Sequence, residues 1–377
     1  MPYKVLQVVN SLGMGGIEAF VTNVHKYMDS DLIKFDYCTI GSKPKDRLED
    51  VKALGAEVFY YPVLSAKSFL SYQRWWKNFF REHKDYIAVH GHVYTTASIY
   101  LLAAHNEGLK TISHSHSTGA LKPNAGLFER ELRKVLTRPL KKASWIDERL
   151  ACSKDAGIWL YGNKKQFKIV KNAIELDSFK FSSDTRKSYR NSLGLEGSFV
   201  IGHIGRGHAV KNHEFLLRVF NEVHKRDSTS KLLLIGNLGM LEEQIREFIR
   251  NNRLDDAVII LGTRKDIPQL LTAMDLLCMP SKNEGLGITL IEAQTTGLPC
   301  VISDVIPEEC DIHAGLITRC SLNREPAEWA ELLLSKKTLH ERRSYIKEAA
   351  EEGYLINNVA DMMTDIYLKL ADSGRVV

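Results

Sequence analysis

Short apolar runs rich in β-branched residues alternate along the chain with longer amphipathic stretches. The first series of runs predicts strands at Lys4–Val9, Phe35–Ile40, Glu57–Tyr61, Ile87–Val89, Thr111–Ser113 and Phe167–Val170. A second series predicts strands at Phe199–Ile204, Leu232–Ile235, Val258–Leu261, Leu276–Met279 and Val301–Ser303. Helical patterns such as Glu18–Met28 and Thr96–Asn106 lie between the runs. Near-continuous apolar strands separated by helices are typical of parallel sheets covered on both faces. The pattern therefore predicts an α/β protein of two doubly wound, Rossmann-like domains.

The polar stretch Lys171–Lys187 precedes the second series and is the predicted linker. Residues 1–170 then form an N-terminal domain and residues 188–356 a C-terminal domain. The amphipathic C-terminal segment, residues 357–377, could pack on either domain, and completing the first is one of the two options. Ligands of open α/β sheets bind beyond the carboxyl ends of the strands. We therefore expect the functional residues of both domains in loops that follow strands.

The composition is that of a soluble globular protein, with 377 residues, 44% of them hydrophobic and 26% charged. The six cysteines are scattered without a Cys-x-x-Cys pair, which predicts buried, reduced thiols and a cytoplasmic location. The sequence predicts no signal peptide, because Met1–Lys4 leads directly into a strand. No apolar stretch approaches the roughly 20 residues that span a bilayer.

Charge is distributed unevenly between the two halves of the chain. Residues 1–170 contain 25 Lys and Arg against 16 Asp and Glu, a net +9, whereas the remainder carries −4. Two basic stretches with many aromatic or leucine residues, Ser68–Lys84 and Leu127–Lys142, lie in the first half. They are either ordinary amphipathic helices with a solvated basic face or a peripheral contact with an anionic membrane. Neither stretch has the pattern of a nucleic-acid-binding module, so no nucleic-acid partner is expected.

In each domain, a glycine-containing loop follows the first predicted strand. The first loop contains Gly13, Gly15 and Gly16, which do not match G-x-G-x-x-G; it is either a tight turn or a phosphate contact. In the second loop, Arg206 and Lys211 lie on either side of the turn into a helix. Two cations beside a helix N-terminus suit a diphosphate. The alternative is a solvated surface pair, as for most Lys and Arg side chains.

The most informative segment follows the strand Leu276–Met279 and contains two glutamates, Glu284 and Glu292. Glu284 lies in a glycine-containing loop, and Glu292 lies about five residues into the next helix, roughly 7–8 Å along its axis. This separation matches a bound nucleotide sugar, with one carboxylate near the sugar and the other near the ribose. The amides of Gly287 and Ile288 would face the phosphates between them.

The frame Pro-Ser-x-x-Glu-Gly-Leu-Gly-x-x-x-Ile-Glu-Ala around these glutamates resembles the signature of glycosyltransferase family 4, of GT-B fold. That family includes bacterial capsular and exopolysaccharide glycosyltransferases. Four further motifs match in order and spacing: the first glycine loop, Gly205-Arg206 with Lys211-Asn212, Leu233–Gly236 and Gly262–Pro268. The resemblance spans nearly the whole chain. One departure is Asn172-Ala173 at the hinge, where the family often has Asn-Gly.

The resemblance implies an N-terminal acceptor domain, a C-terminal nucleotide-sugar donor domain and a cleft between them. It implies that Arg206 and Lys211 neutralise the leaving diphosphate, that Glu284 contacts the donor sugar and that Glu292 contacts the ribose. Gly16 is expected to give a backbone contact near the donor phosphate, and Gly262–Arg264 to lie beside the base. The expected donor-binding residues are Gly15, Gly16, Gly236, Gly262, Thr263, Arg264, Gly285, Leu286, Gly287, Ile288 and Glu292.

Histidines end two neighbouring strands of the first domain. The family carries a histidine close to the reacting sugar at the strand end that holds His114 and His116, and alternation puts both on one side of the strand. The sequence does not choose between them, so both are candidate catalytic residues. His90 and His92 end the preceding strand and are either acceptor-binding or structural. His25, His83 and His340 are expected at the surface.

No metal is expected, because the one Asp-x-Asp, Asp29-Ser30-Asp31, lies in a turn between a helix and a strand. The leading expectation is a retaining, metal-independent glycosyltransferase of the hexosyltransferase type that needs no cofactor. It would use a nucleoside-diphosphate sugar, UDP-sugar foremost, and a glycan or lipid-linked acceptor. The alternatives are a sugar-nucleotide epimerase or phosphorylase of the same fold, or a non-catalytic nucleotide-sugar-binding subunit of a transferase complex.

Overall fold

The computed structural model describes residues 1–117, 127–163, 165–337 and 342–373. The chain divides into two compact units. The first unit contains residues 1–174 and 355–377, and the second contains residues 175–354. Strands and helices are numbered below in chain order.

Within the described residues, a seven-stranded parallel sheet forms the centre of the first unit, in the order β3-β2-β1-β4-β5-β6-β7. The strands are β1 (Tyr3–Val8), β2 (Ile33–Ile40), β3 (Val58–Tyr61), β4 (Tyr86–Gly91), β5 (Lys110–Ser115), β6 (Glu148–Ala151) and β7 (Lys168–Ile169). The chain order reverses between β1 and β4. This is the position where an open α/β sheet forms a crevice beyond its strand ends.

Helices cover both faces of this sheet. They are α1 (Gly16–Tyr27), α2 (Leu48–Ala53), α3 (Phe69–Glu82), α4 (Ala97–Asn106), α5 (Leu127–Lys142), α6 (Lys154–Tyr161) and the C-terminal helix α14 (Ile356–Ser373). Helices α1 and α14 pack on one face through Phe20, Val24 and Met363. Helices α3 to α6 pack on the other face, around Trp76 and Tyr100. Both apolar faces of the strands are therefore buried, which explains their continuous apolar sequences.

The second unit repeats this architecture with a six-stranded parallel sheet in its described residues, in the order β10-β9-β8-β11-β12-β13. Its strands are β8 (Val200–Ile204), β9 (Lys231–Ile235), β10 (Val258–Gly262), β11 (Leu276–Met279), β12 (Cys300–Ser303) and β13 (Ile317–Cys320). Its helices are α7 (Ser183–Ser192), α8 (His213–Arg226), α9 (Glu242–Asn251), α10 (Ile267–Ala273), α11 (Ile288–Thr295), α12 (Pro326–Ser335) and α13 (Ile346–Glu351).

The unit boundaries differ from the predicted linker. Residues 175–187 belong to the second unit, where helix α7 is anchored by two arginines. The guanidinium groups of Arg186 and Arg190 both bind the carboxylate of Asp275, which precedes β11. At the other boundary, the Ile356 N–H donates to the Ile174 carbonyl at 3.2 Å, and α14 joins the core of the first unit.

All six cysteines are buried, and none of them forms a disulfide. In the part of the chain that the structure describes, no helix combines the length and the apolar character needed to cross a bilayer.

Candidate active site

The loops that follow β8 and β11 are joined by hydrogen bonds at the carboxyl end of the second sheet. The Asn212 side-chain amide donates to the Pro280 carbonyl at 3.1 Å. The Lys282 N–H donates to the Val210 carbonyl at 2.7 Å. Asn212 has a left-handed backbone, with φ of 58°, which asparagine tolerates better than most residues. These contacts fix the loop that carries Lys211 against the loop that carries Glu284.

Lys211 and Glu284 form an ion pair with each other. The Lys211 Nζ lies 2.7 Å from Glu284 Oε1, and the two side chains are 21% and 11% exposed. The residues are 73 positions apart in sequence. Arg206, at the start of the same loop, is exposed and has no ion-pair partner within the described ranges. The structure therefore brings three of the predicted catalytic residues to one sheet edge, with one cation paired and the other facing solvent.

The loop after β8 also packs closely on the loop after β9. The Gly207 N–H donates to the Asn237 carbonyl at 2.8 Å. A Cβ atom at Gly207 would lie 1.8 Å from the Leu238 carbonyl oxygen, so only glycine allows this approach. One strand further, the Gly236 N–H donates to the Gly262 carbonyl at 2.8 Å. Two of the predicted donor-binding glycines are thus in contact.

Helix α11 begins directly after the Glu284 loop. Its N-cap is Gly287, whose left-handed backbone has φ of 74°, a conformation that glycine adopts without strain. Within the described residues, neither the Gly287 nor the Ile288 N–H donates a hydrogen bond to the protein. Glu292 is the fifth residue of the helix and is half-buried. Free amides and the helix dipole favour an anion at this end of the helix.

The loop after β10 has a different arrangement. Arg264 donates from Nε to Asp266 Oδ1 at 2.8 Å, and its Nη2 binds the other carboxylate oxygen. The Tyr189 hydroxyl donates to the same carboxylate at 3.1 Å. The Arg264 guanidinium lowers the pKa of Asp266. Arg264 therefore holds its own loop, and the preceding residue, Thr263, is exposed.

Two buried histidines near Lys211 were not singled out from the sequence. The His203 Nδ1 contacts the Cys278 carbonyl at 2.9 Å, so this nitrogen carries the proton. The His203 and His213 rings meet edge to face, with centroids 4.8 Å apart. The pKa of His203 is lowered to about 3 and that of His213 to about 4, mainly by burial and in part by the charge of Lys211. The two imidazoles near the ion pair of Lys211 and Glu284 are therefore uncharged. The feature of the sequence that could have revealed this pair is the histidine at position 203, within the otherwise apolar strand β8.

In the first unit, the four strand-end histidines form one buried cluster. His90 and His92 lie at the end of β4, and His114 and His116 lie at the end of β5. Their exposures range from 0 to 6%. The two rings on each strand are in contact: those of His114 and His116 stack with centroids 4.0 Å apart, and those of His90 and His92 are tilted with centroids 4.1 Å apart.

Hydrogen bonds determine how the cluster is protonated. Tyr367 of α14 accepts from the Gln7 side chain at 3.2 Å, so its hydroxyl donates to His90 Nδ1 at 2.7 Å. His90 then donates from Nε2 to His114 Nδ1 at 3.2 Å. Along the second branch, His92 donates from Nε2 to Gln7 Oε1 at 2.9 Å. Its Nδ1 therefore accepts from His116 Nε2, at 2.8 Å.

The cluster is uncharged and internally bonded. Burial is the largest cause that lowers the pKa of each of its four imidazoles, to about 4 for His116. His114 is fully buried. Both ring nitrogens of His116 have partners. Because its Nε2 donates to His92, the Nδ1 of neutral His116 accepts from the Asn172 side-chain amide, whose NH₂ group then occupies the position 3.1 Å from the ring. The two candidate catalytic histidines therefore differ in position, because His116 is the one that lies beyond the end of β5.

The same cluster bears on metal binding. His90, His92 and His114 are the one group of three or more metal-binding side chains found among the described residues. Both ring nitrogens of His90 and His92 and the Nδ1 of His114 participate in the hydrogen bonds above, whereas His114 Nε2 is buried without a hydrogen-bond partner among the described residues. The rings of His90 and His92 are tilted by 34° to each other, and the candidate ligand atoms of the three histidines lie within 4.8 Å of one another. Asp29 and Asp31 instead form an exposed turn, in which the Asp31 N–H donates to Asp29 Oδ1 at 2.9 Å.

The first glycine loop leads into α1, which begins at Gly16 with Gly15 as N-cap. The Glu18 carboxylate accepts a hydrogen bond from the Ser11 hydroxyl and lies against Gly15. An acidic side chain of the protein therefore occupies the N-terminal turn of this helix. The arrangement supports the tight-turn alternative for this loop.

Three other histidines were expected at the surface. His25 contradicts this expectation: it is 7% exposed and its Nδ1 contacts the Tyr37 hydroxyl at 3.2 Å. His83 is half-buried. His340 lies outside the described residues.

The aromatic residues of the first basic stretch form the core side of α3. Trp76 and Phe80 of this helix are completely buried. The opposite side of α3 exposes Leu70 together with Arg74 and Lys77. Helices α3 and α5 both pack against α4 on one face of the sheet, so their basic residues belong to one layer of the first unit.

Comparison with known proteins identifies the family. The family model described as "Glycosyl transferases group 1" matches residues 198–335. The chain is 32% identical over 372 residues to the inferred glycosyltransferase EpsF of Bacillus subtilis (strain 168), covering 97% of this chain and 96% of that protein. It is 26% identical over 242 residues to the UDP-Gal:alpha-D-GlcNAc-diphosphoundecaprenol alpha-1,3-galactosyltransferase of Escherichia coli, covering 60% of each.

Among solved structures, Anabaena Alr3699/HepE in complex with UDP and glucose superposes with a TM-score of 0.74 at 18% identity, covering 100% of both chains. This similarity shows the fold, which is GT-B. The chain belongs to the group 1 glycosyltransferase family and is a glycosyltransferase of the hexosyltransferase type.

Proposed function

We propose that this glycosyltransferase transfers a sugar from a nucleoside-diphosphate sugar, UDP-sugar foremost, with retention of anomeric configuration and without a metal ion. The acceptor is a glycan or a lipid-linked glycan in surface polysaccharide synthesis. The single observation that supports the donor assignment best is the convergence of Arg206, Lys211, Glu284 and the α11 N-terminus at one sheet edge. Cations beside free helix amides suit a diphosphate, and a neighbouring carboxylate suits sugar hydroxyls.

In the proposed reaction, the bond between the anomeric carbon and the β-phosphate oxygen breaks as the acceptor hydroxyl attacks from the same face. The charge that develops on the leaving diphosphate is stabilised by Arg206, Lys211 and the free amides at Gly287 and Ile288. The acceptor proton passes to the departing phosphate oxygen. Because the protein supplies fixed positive charge at this position, positioning and leaving-group stabilisation would provide most of the catalysis.

The names of relatives support the substrate classes. The Escherichia coli relative is named for a UDP-galactose donor and a diphosphoundecaprenol-linked acceptor. The Anabaena structure contains UDP and glucose. We extend these classes to the present chain, with Glu284 bonding the donor sugar and Glu292 the ribose. Of the two histidines at the end of β5, we assign the contact near the reacting sugar to His116, because His114 is completely enclosed.

A second part of the proposal concerns location. We propose that the enzyme is cytoplasmic and rests peripherally on anionic membrane through the exposed basic sides of α3 and α5. Residues 1–170 carry a net charge of +9, and Leu70 and Val135 are 73% and 63% exposed on these two helices. Basic residues with exposed apolar neighbours are typical of interfacial contact.

Ligand-dependent thermal stabilisation tests the donor assignment. A ligand at about 100 times its Kd stabilises a protein by roughly 2.7 kcal/mol, so UDP-, GDP- and ADP-sugars can be ranked by their shifts in Tm. We expect the largest shift with a UDP-sugar. Proton NMR of the transfer product then reports the anomeric configuration. Release of an isomerised sugar nucleotide without any acceptor would instead indicate an epimerase, and binding without turnover a non-catalytic subunit.

A further inference from the structure

The ion pair between Lys211 and Glu284 joins the residue proposed to hold the diphosphate to the residue proposed to hold the sugar. It is short, at 2.7 Å, and mostly shielded from solvent, with exposures of 21% and 11%. The loops that carry the two residues are fixed to each other by the Asn212–Pro280 and Lys282–Val210 hydrogen bonds. These hydrogen bonds hold the two loops, and with them the two side chains, next to each other.

We propose that Glu284 competes with the diphosphate for Lys211, and that this competition weakens binding of the nucleoside diphosphate product relative to the sugar nucleotide. The proposal rests on the donor site described above and adds a role in product release. Glu284 then has two states within one reaction cycle. It bonds the sugar hydroxyls when the donor is present, and it pairs with Lys211 when the sugar has left.

The difference between the two ligands follows from charge. A sugar nucleotide brings hydroxyl donors to Glu284, so the carboxylate stays hydrogen-bonded while Lys211 turns to the phosphates. The free nucleoside diphosphate has no sugar, and its terminal phosphate carries an additional ionised oxygen. When the free nucleoside diphosphate pairs with Lys211, Glu284 loses its ion-pair partner. Its partly desolvated carboxylate then lies beside an anion. An unpaired charge of this kind discriminates against the ligand that creates it.

Among the described residues, Lys211 is the cation that forms an ion pair with Glu284. His203 and His213, the buried imidazoles near Lys211, are held neutral by burial. Arg264 is bound to Asp266 in its own loop. Arg206 is exposed at the far end of its loop and is the second cation proposed for the diphosphate. Lys211 is therefore the charge for which carboxylate and diphosphate compete.

A purely structural role for the ion pair predicts the opposite sign. If Glu284 only held the Lys211 ammonium in place, removing its charge would let the lysine move and would weaken nucleotide binding. If it competes, removing its charge frees Lys211 and strengthens nucleotide binding. The direction of the change in affinity for the free diphosphate separates the two roles.

The test measures Kd for UDP and UDP-glucose by titration calorimetry with the wild-type enzyme and Glu284→Gln. We expect Glu284→Gln to bind UDP about tenfold more tightly, because the diphosphate no longer has to take Lys211 from a carboxylate partner. We expect no such gain for UDP-glucose, because the same substitution weakens the contact with the sugar. Glu214→Gln is the matched control: it removes an exposed carboxylate three residues after Lys211 and should leave both Kd values unchanged.

The double variant Lys211→Gln/Glu284→Gln tests the pair itself. In the Lys211→Gln background, Glu284→Gln should lose most of its gain in UDP affinity, because no lysine is left to be freed. Unchanged or weaker UDP binding by folded Glu284→Gln, or an equal gain in both backgrounds, would overturn the proposal. If UDP does not bind the wild-type enzyme, the GDP/GDP-mannose and ADP/ADP-glucose pairs are used in its place. Failure of all three diphosphates to bind the wild type would refute the donor site itself.

Discussion

Lowering the pH from 7 to 5 should remove several kcal/mol of stability from the first unit, because its buried histidines are held neutral. Burial lowers the pKa of His25 and His116 to about 4, from an ordinary value of 6.5. The unfolded chain therefore binds more protons than the folded unit between these values, and stability rises with pH across this window. The stabilisation is complete above pH 6.5 and is lost as the pH falls toward 4.

The magnitude follows from the size of the shifts. At pH 5 each of these two histidines has lost about 2 kcal/mol of its contribution, since one pKa unit corresponds to about 1.4 kcal/mol. Their sum of about 4 kcal/mol is comparable with the total stability of an ordinary domain, about 5–15 kcal/mol. Burial also lowers the pKa of His90, His92 and His114. We therefore expect the first unit to unfold between about pH 5 and pH 4.

Urea unfolding followed by tryptophan fluorescence at pH 7, 6 and 5 measures this loss. Four of the five tryptophans lie in the first unit, so the signal reports mainly on that unit. His25→Gln should reduce the slope of the unfolding free energy against pH by up to about 1.4 kcal/mol per unit. His105→Gln, at an exposed position of α4, should leave the slope unchanged. A first unit equally stable at pH 7 and pH 5 would show that these histidines are not neutral and buried.

Three further predictions concern the proposed function. Lys211→Ala should lower kcat/KM by about a hundredfold or more, about 2.7 kcal/mol. Lys282→Ala, an exposed lysine of the Glu284 loop, serves as its control, and a loss below about threefold for Lys211→Ala would remove this lysine from the mechanism. Transfer activity should survive EDTA; its abolition by chelator and restoration by Mg²⁺ or Mn²⁺ would refute metal independence. The protein should cosediment weakly with anionic vesicles at low salt, less at high salt and hardly with neutral vesicles. Arg74→Glu/Lys77→Glu should reduce that binding, and no cosedimentation with anionic vesicles at low salt would exclude the membrane contact.

Local sequence patterns predicted the positions of most strands. The runs around β8, β9 and β11 are almost entirely apolar because both faces of these strands are buried, so their positions could be predicted to within a residue or two. The strands that the pattern missed are β6 and β13, whose sequences Glu-Arg-Leu-Ala and Ile-Thr-Arg-Cys mix charged and apolar residues. Each is only partly buried, and a four-residue run of mixed polarity carries little periodic signal.

The unit boundary could not be read from composition. The stretch Lys171–Lys187 is polar and was assigned to a linker, yet most of it belongs to the second unit. Its helix α7 is polar because it is anchored by Arg186 and Arg190 on Asp275 rather than by apolar packing. Similarly, the amphipathic face of α14 showed that the helix must pack, but its partner became clear only from its contacts with α1.

By itself, the sequence determined the two α/β domains and the candidate loops, because strand periodicity, glycine turns and the Glu284/Glu292 spacing are local properties of the chain. Only the tertiary structure decided that Lys211 pairs with Glu284, 73 residues away, and that Tyr367 donates to His90, 277 residues away. Only it showed that His25, expected at the surface, is buried. Such contacts depend on which strand ends meet at a sheet edge and which helix closes over them. The geometry of these long-range contacts results from tertiary packing, so it cannot be predicted from any short segment of the sequence.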